Sequence, residues 1–294
     1  MTQDIYTKTT ERIIELMEQH GADWVRPWAC SATGRLRNGV SDHKYRGINC
    51  ILLGLSGYGM PLWASYKQWG SKGGQVRKGE RATHVLFYKP LILTERETGK
   101  EKTVPLLRSF PVFNIAQVEG IEVPNVAEPI NEAFSVDAVA EKFIADTGAQ
   151  VHNGGDRACY IPALDIVRLP EKSSFTGSPS STAEEAYYST AFHELIHWSG
   201  HKNRLDRNLS AARFGQSVYA FEELVAELGA AYACQSLGVT VEPRADHALY
   251  LNNWLAVLRN DKKAIFTAAA LAEKAFGFLS GFGQEEAEAL AEAA

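Results

Sequence analysis

Two histidines and a glutamate at His193-Glu194-Leu195-Ile196-His197 have the types and spacing that most directly imply chemistry. On a helix, residues i and i+4 share a face. His193 and His197 can therefore hold one metal ion between them, while Glu194 on the same turn can reach a water bound to that ion. This is the signature of a zinc-dependent hydrolase. The ion would lower the pKa of its water towards about 7 and polarise a scissile carbonyl, and Glu194 would take the proton and pass it to the leaving amine. The bland alternative is a buried helix whose histidines only make hydrogen bonds. It must explain a carboxylate among Phe192, Leu195 and Ile196, and a buried carboxylate without a partner is expensive.

The positioning element is legible. Thr182 followed by Glu185 forms a capping box, Ala183 to Ser199 contains no Gly or Pro, and Gly200 stands where a left-handed C-cap belongs. The pattern predicts a helix over 183–199. A third ligand is expected from a second helix, read from Tyr219 to Leu237 and ended by Gly238. Glu223 and Glu227 fall on one face there, which suits Glu223 as ligand and Glu227 as the acid orienting a ligating histidine. Glu222 is not excluded by spacing. His201 follows His197 too closely to share the metal along an unbroken helix, so it is assigned outside the ligand set, either supporting the ligands from behind or contacting substrate. Candidates for stabilising an oxyanion are Tyr219, His201, Arg204 and His247. Tyr160 to Leu169 reads as a strand before the motif helix, able to line a cleft and take an extended peptide by strand addition. The Ser/Gly/Pro stretch 171–181 reads as a plain surface connection.

The remaining chain points to a different partner. Of its 294 residues 45% are hydrophobic and 22% charged, which is ordinary for a globular protein and argues against disorder. No apolar run reads as long enough to span a bilayer, and the first residues show no hydrophobic signal core, so no membrane partner and a cytoplasmic location are expected. Cys30, Cys50, Cys159 and Cys234 are scattered without a CxxC pair and are expected to be reduced. The net charge of −5 conceals a division: residues 1–125 carry 17 basic and 12 acidic side chains, and within 21–90 eleven Lys and Arg face three acids. That is an electrostatic footprint for a polyanion. Four of the six tryptophans (Trp24, Trp28, Trp63 and Trp69) lie in the same stretch, with Tyr45, Tyr58, Tyr66 and Tyr88. Cationic groups that track phosphates and aromatic faces that stack on bases are what single-stranded nucleic acid needs, and no duplex-reading motif is present. The candidate DNA contacts are Trp24, Arg26, Trp28, Lys44, Tyr45, Arg46, Lys67, Trp69, Lys72, Arg77, Lys78 and Arg81. For any single tryptophan, core packing is the competing explanation.

The coarse architecture is α+β. A helix is expected over Asp4–His20, a short one from Ile48, strands at Thr83–Leu93 and Thr103–Phe113, a helix over Ser135–Thr147 and a helix pair over Asp246–Phe276. The stretch 119–129 reads as a linker, giving domains at 1–125 and 126–294.

On the runs Trp24–Trp28 (WVRPW), Tyr45–Asn49, Gly70–Gly79, His193–Leu205 (HELIHWSGHKNRL) and Tyr219–Leu228 (YAFEELVAEL), the chain resembles plasmid antirestriction proteins of the ArdC type. Its N-terminal half also resembles the leading region of conjugation-associated primases. The resemblance implies an N-terminal α+β domain that binds single-stranded DNA and a mainly helical, zincin-like metallopeptidase domain with a small sheet. It further implies protection of incoming plasmid DNA from restriction during conjugation. The implied metal site falls on His193, Glu194 and His197, with Glu223 chosen here as the remaining ligand; the ion is zinc, manganese being the alternative. Two other functions fit the same residues: a metallopeptidase acting on DNA-bound or restriction-system proteins, and a non-catalytic coat for single strands with a structural metal.

Overall fold

A computed structural model describes residues 4–21, 35–94, 101–122, 136–178, 181–207, 216–239 and 247–292. The chain opens with α1 (Ile5–His20), whose Asp4 side chain accepts from the Thr7 N–H and whose Gly21 ends it at φ 59°. Thr10 on its buried side donates to the Lys262 carbonyl at 2.6 Å, tying the first helix to the far end of the sequence. Next come β1 (Arg37–Asn38), α2 (Ile48–Gly54), β2 (Leu62–Ala64), α3 (Tyr66–Ser71) and β3 (Gln75–Val76). The long strands β4 (Thr83–Thr94) and β5 (Glu101–Asn114) form one antiparallel ladder, and β6 (Val118–Glu119) returns to β3. The first sheet has the order β1-β2-β5-β4, with β1 and β2 parallel.

The second half contains α4 (Val136–Asp146), the strands β7 (Gln150–Asn153), β8 (Cys159–Ile161) and β9 (Ile166–Leu169), and the helices α5 (Ala183–Ser199), α6 (Gln216–Leu237), α7 (His247–Asn260) and α8 (Ala264–Glu292). Its sheet is ordered β7-β9-β8, which puts β8 at an edge among the described residues. The two halves share one apolar core running from Ile13 and Met17 through Trp63 to Phe192, Leu228 and Leu279. Polar contacts cross it as well: Arg35 pairs with Glu273 at 2.7 Å, Glu273 accepts from the Gly47 N–H at 3.2 Å, and the Tyr232 hydroxyl donates to the Gly47 carbonyl at 3.0 Å. Gly47 sits at φ 54°, a backbone conformation that favours glycine.

Several expectations shift. The run Tyr160–Leu169 is not one strand but a hairpin, because Pro162 cannot donate within a ladder and Asp165 turns the chain at φ 55°. Gly200 caps α5 at φ −80°, in the right-handed rather than the left-handed region. The stretch 63–69, which holds the candidate contacts Lys67 and Trp69, folds as the end of β2 and the start of α3, opened by a Ser65/Gln68 capping box. In α8 the stretch Ala264–Gly281 is long and apolar enough to cross a bilayer by length and composition. Here its Ile265, Ala268, Ala272, Ala275 and Leu279 are core residues, and it packs on α6. Cys50, Cys159 and Cys234 are unpaired thiols.

Candidate metal centre

The helices α5 and α6 pack closely, and one glycine permits it. A Cβ on Gly229 would lie 2.7 Å from Ile196 Cδ1, so any larger side chain would push the two helices apart beside the site. The capping box of Thr182 and Glu185 fixes the start of α5, and its last two turns bring His193 and His197 against α6. His193 Nε2 and His197 Nε2 lie 3.1 Å apart, and each is 3.4 Å from an oxygen of Glu223. These three side chains form a donor set able to hold a metal ion, and His201 is not part of it.

Three lone-pair donors cannot converge in a buried place without a positive charge among them. A proton or a metal ion meets that need. Tetrahedral ligands at about 2.0–2.1 Å from an ion stand roughly 3.3 Å from one another, so the observed spacing suits a divalent cation. The electrostatics likewise place a positive charge here. Burial opposes charging His197, but the carboxylates of Glu222 and Glu223 override it and raise the ring to about 10. Burial likewise opposes the Glu223 carboxylate, yet the imidazoles of His193 and His197 hold it well below the usual carboxylate range.

The outward-facing nitrogens are also engaged. His193 Nδ1 is 2.8 Å from Glu227 Oε1, and His197 Nδ1 is 3.3 Å from Glu222 Oε1. A carboxylate on the far nitrogen of a ligating histidine fixes its tautomer and ring plane. Glu222 is therefore turned to the back of His197, away from the donor set. Its charge is balanced by Arg207, which sits 2.9 Å from Glu222 Oε1 and also donates to Ser199 Oγ at 2.9 Å and to the Ile196 carbonyl at 2.5 Å.

Glu194 is buried, and its Oε2 accepts from the Tyr160 N–H of β8 at 2.8 Å. The edge strand thus uses this N–H to orient the glutamate rather than offering it to a peptide. The Tyr160 hydroxyl donates to Asp165 Oδ1 at 2.8 Å, and the Arg204 guanidinium pairs with Asp165, donates to the Tyr160 hydroxyl at 3.1 Å and stacks 3.8 Å over the Trp198 ring. Arg204, a candidate oxyanion donor by its place in the sequence, is thereby committed to holding the β8–β9 hairpin against the end of α5. His201 lies in the turn after α5, where its Nδ1 accepts from the Asn203 N–H at 3.3 Å. Tyr219 is 37% exposed on α6.

The predicted DNA contacts divide by burial. Lys44, Arg46, Lys67, Lys72, Arg77, Lys78 and Arg81 are exposed. Trp69 is only 2% exposed, with its Nε1–H donating to the Phe113 carbonyl at 2.9 Å and its ring filling the space that a Cβ on Gly39 would need. Tyr45 is buried too. Neither ring offers a face to a base: a large apolar side chain left exposed forfeits about 1.5–3 kcal/mol of burial, and these two pack inward. Arg77 is half-exposed and pairs with Glu80 while donating to the Ala116 carbonyl at 2.7 Å, so it also braces its loop. Trp24, Arg26 and Trp28 lie outside the described residues.

Known proteins share this layout. Residues 3–113 match the N-terminal domain of anti-restriction factor ArdC, and residues 138–271 match a zincin-like metallopeptidase family. The metal-free crystal structure of the antirestriction ArdC protein from plasmid R388 superposes with a TM-score of 0.79 at 35% identity, covering 96% of this chain and 99% of that one. The chain belongs to the ArdC antirestriction family. The Mn(II)-bound R388 ArdC structure matches at a TM-score of 0.74 and 34% identity, covering 95% of this chain and 98% of that one. An uncharacterised Sinorhizobium fredii protein, y4eC, is 38% identical over 92% of this chain and 90% of its own length. An Escherichia coli DNA primase TraC is 36% identical over 96% of this chain, which spans only 27% of that primase.

Within this ArdC-type chain, sequence reasoning missed Arg207. It lies in the segment between the two helices that carry the donors, and no periodic pattern marks it. The available signal was arithmetic: three acids, Glu222, Glu223 and Glu227, on a helix otherwise rich in apolar residues carry one charge more than a single divalent ion would offset, which calls for a buried cation.

Proposed function

We propose that this chain binds single-stranded DNA through its N-terminal half and protects entering plasmid DNA from restriction during conjugation, and that its C-terminal half is a zinc metallopeptidase working in the cytoplasm. The observation that carries the enzymatic part is the convergence of His193, His197 and Glu223 beside a buried, oriented Glu194. His193, His197 and Glu223 would hold the ion, whose bound form supplies Lewis acidity to a peptide carbonyl and to water. Glu194 accepts a proton at its carboxylate and delivers it to the leaving amine, and the Tyr160 N–H fixes the orientation of that carboxylate. Glu227 and the Glu222–Arg207 pair hold the imidazole planes. A purely structural ion needs no such acid, which favours hydrolysis over a passive coat. Zinc is favoured by the two-histidine, one-carboxylate set; manganese is accepted by the same ligands.

The binding part rests on the exposed cations of the Gly-rich stretch 71–81 and their neighbours. Its test is titration of the full-length protein against fluorescent single- and double-stranded oligonucleotides across a salt series. We expect a preference for single strands and an affinity that falls steeply with salt. Replacing Lys72 and Lys78 together with Ala should weaken binding to every sequence and reduce the single-strand salt slope by about 0.7 for each phosphate no longer neutralised. An unchanged slope would remove this loop from the phosphate path.

A further inference from the structure

The β4–β5 ladder carries two half-exposed aromatic rings on one face. Phe87 is 50% exposed and Phe110 45% exposed, and no motif in the sequence singles them out. The ladder register pairs Phe87 with Arg108 and Val85 with Phe110. Directly opposed residues share a face, as do residues two apart on one strand. Val85, Phe87, Arg108 and Phe110 therefore form one surface. Val85 is buried, so the core ends there, and the two phenylalanines and the arginine lie just beyond it. The opposite face, with His84, Leu86 and Ser109, fronts a cleft that α1 helps to line.

We infer that Phe87 and Phe110, with Arg108 beside them, are a stacking platform for two unpaired bases of a nucleic acid strand. The inference rests on the single-strand binding proposed above and adds where the bases go. Three observations select this occupant. First, aromatic faces are the sequence-tolerant half of single-strand recognition; with Trp69 and Tyr45 packed inward, the exposed large aromatics among the described residues of the N-terminal half are Tyr66, Phe87 and Phe110, and of these Phe87 and Phe110 share one face of the ladder. Second, the charge is complementary: Arg108 shares the face, and the exposed Lys72, Lys78 and Arg81 precede the root of the same ladder at Thr83. Third, the ring geometry discriminates. Their centroids are 6.2 Å apart and their planes meet at 83°, so two bases lying on them cannot stay stacked on each other. A single strand can splay its bases this way, whereas paired bases in a duplex cannot.

The test uses full-length protein with two fluorescent oligonucleotides of equal length, one of ordinary thymidines and one abasic throughout, each titrated across a salt series. The wild type should bind the thymidine strand more tightly than the abasic one. Phe87→Ala and Phe110→Ala should each weaken binding to the thymidine strand on the order of 10-fold and leave the abasic affinity and the salt slope unchanged. Phe87→Trp should restore binding. Wild-type affinity for the thymidine strand in the Phe87→Ala/Phe110→Ala double variant, with wild-type melting behaviour, would overturn the platform while leaving single-strand binding intact. So would a lower sedimentation mass in the double variant than in the wild type with DNA binding unaltered, which would make the face a contact between copies. Failure of the wild type to bind single strands at all would instead strike the DNA-binding proposal.

Discussion

Removing the Arg207 side chain is expected to destabilise this protein more than any change at an exposed cation. Arg207→Ala leaves the Glu222 carboxylate buried behind His197 with its guanidinium partner gone. It also strips donors from Ser199 Oγ and the Ile196 carbonyl at the end of α5. Breaking a buried ion pair from one side costs about 3–5 kcal/mol, because the surviving charge stays desolvated. For a chain this size that corresponds to a fall in melting temperature of roughly 10 °C. Glu222 also holds the His197 ring, so metal affinity should drop by about 10–100-fold. Arg207→Lys keeps the charge but cannot reach three acceptors in one plane, and should fall between the two. Thermal denaturation and metal titration of the three proteins check both effects. Wild-type melting in Arg207→Ala would show that the burial of Glu222 does not depend on Arg207.

Glu194→Gln carries the largest expected effect on chemistry. The amide keeps the size of the side chain and an oxygen that can accept from the Tyr160 N–H, so the hairpin and the helix should remain in place. It cannot accept the proton. Hydrolysis of a peptide or protein substrate should fall by about 10²–10⁴-fold, the usual share of a general base, with metal affinity unchanged. The same variant in a conjugation assay against a restricting recipient separates two roles of the domain. Loss of protection with DNA binding and metal retained ties protection to hydrolysis. Full protection would make hydrolysis dispensable and place the protective role in the DNA-binding half.

The metal helix was legible because everything that specifies it is local. The capping box, the unbroken run and the i, i+4 histidines all lie within one segment; the face shared with Glu227 favoured Glu223, and only the packing of the two helices turns Glu222 to the back of His197. What lay outside the sequence is tertiary. Arg207 meets Glu222 across a chain reversal that no periodicity predicts. Gly229 looks like a weak point in a helix, and only the approach of Ile196 shows why it is there. Tyr160 reads as one position in a strand, yet its N–H and hydroxyl serve Glu194 and Asp165 through a turn that Pro162 and Asp165 create. The aromatics misled for a physical reason: composition records how many rings a segment holds, not which face of a sheet is covered. Trp69 and Tyr45 pack inward, while Phe87 and Phe110, ordinary members of a β-rich run, remain half outside.

The proposed chemistry of this domain depends on one divalent ion, which His193, His197 and Glu223 are placed to hold. Calorimetric titration of chelator-treated full-length protein with zinc, and separately with manganese, measures it. The expected result is one ion per chain in the wild type and in Glu194→Gln, and loss of that site in His193→Ala and Glu223→Ala with the fold preserved by circular dichroism. Stoichiometric binding that survives both substitutions would contradict it and place the ion elsewhere.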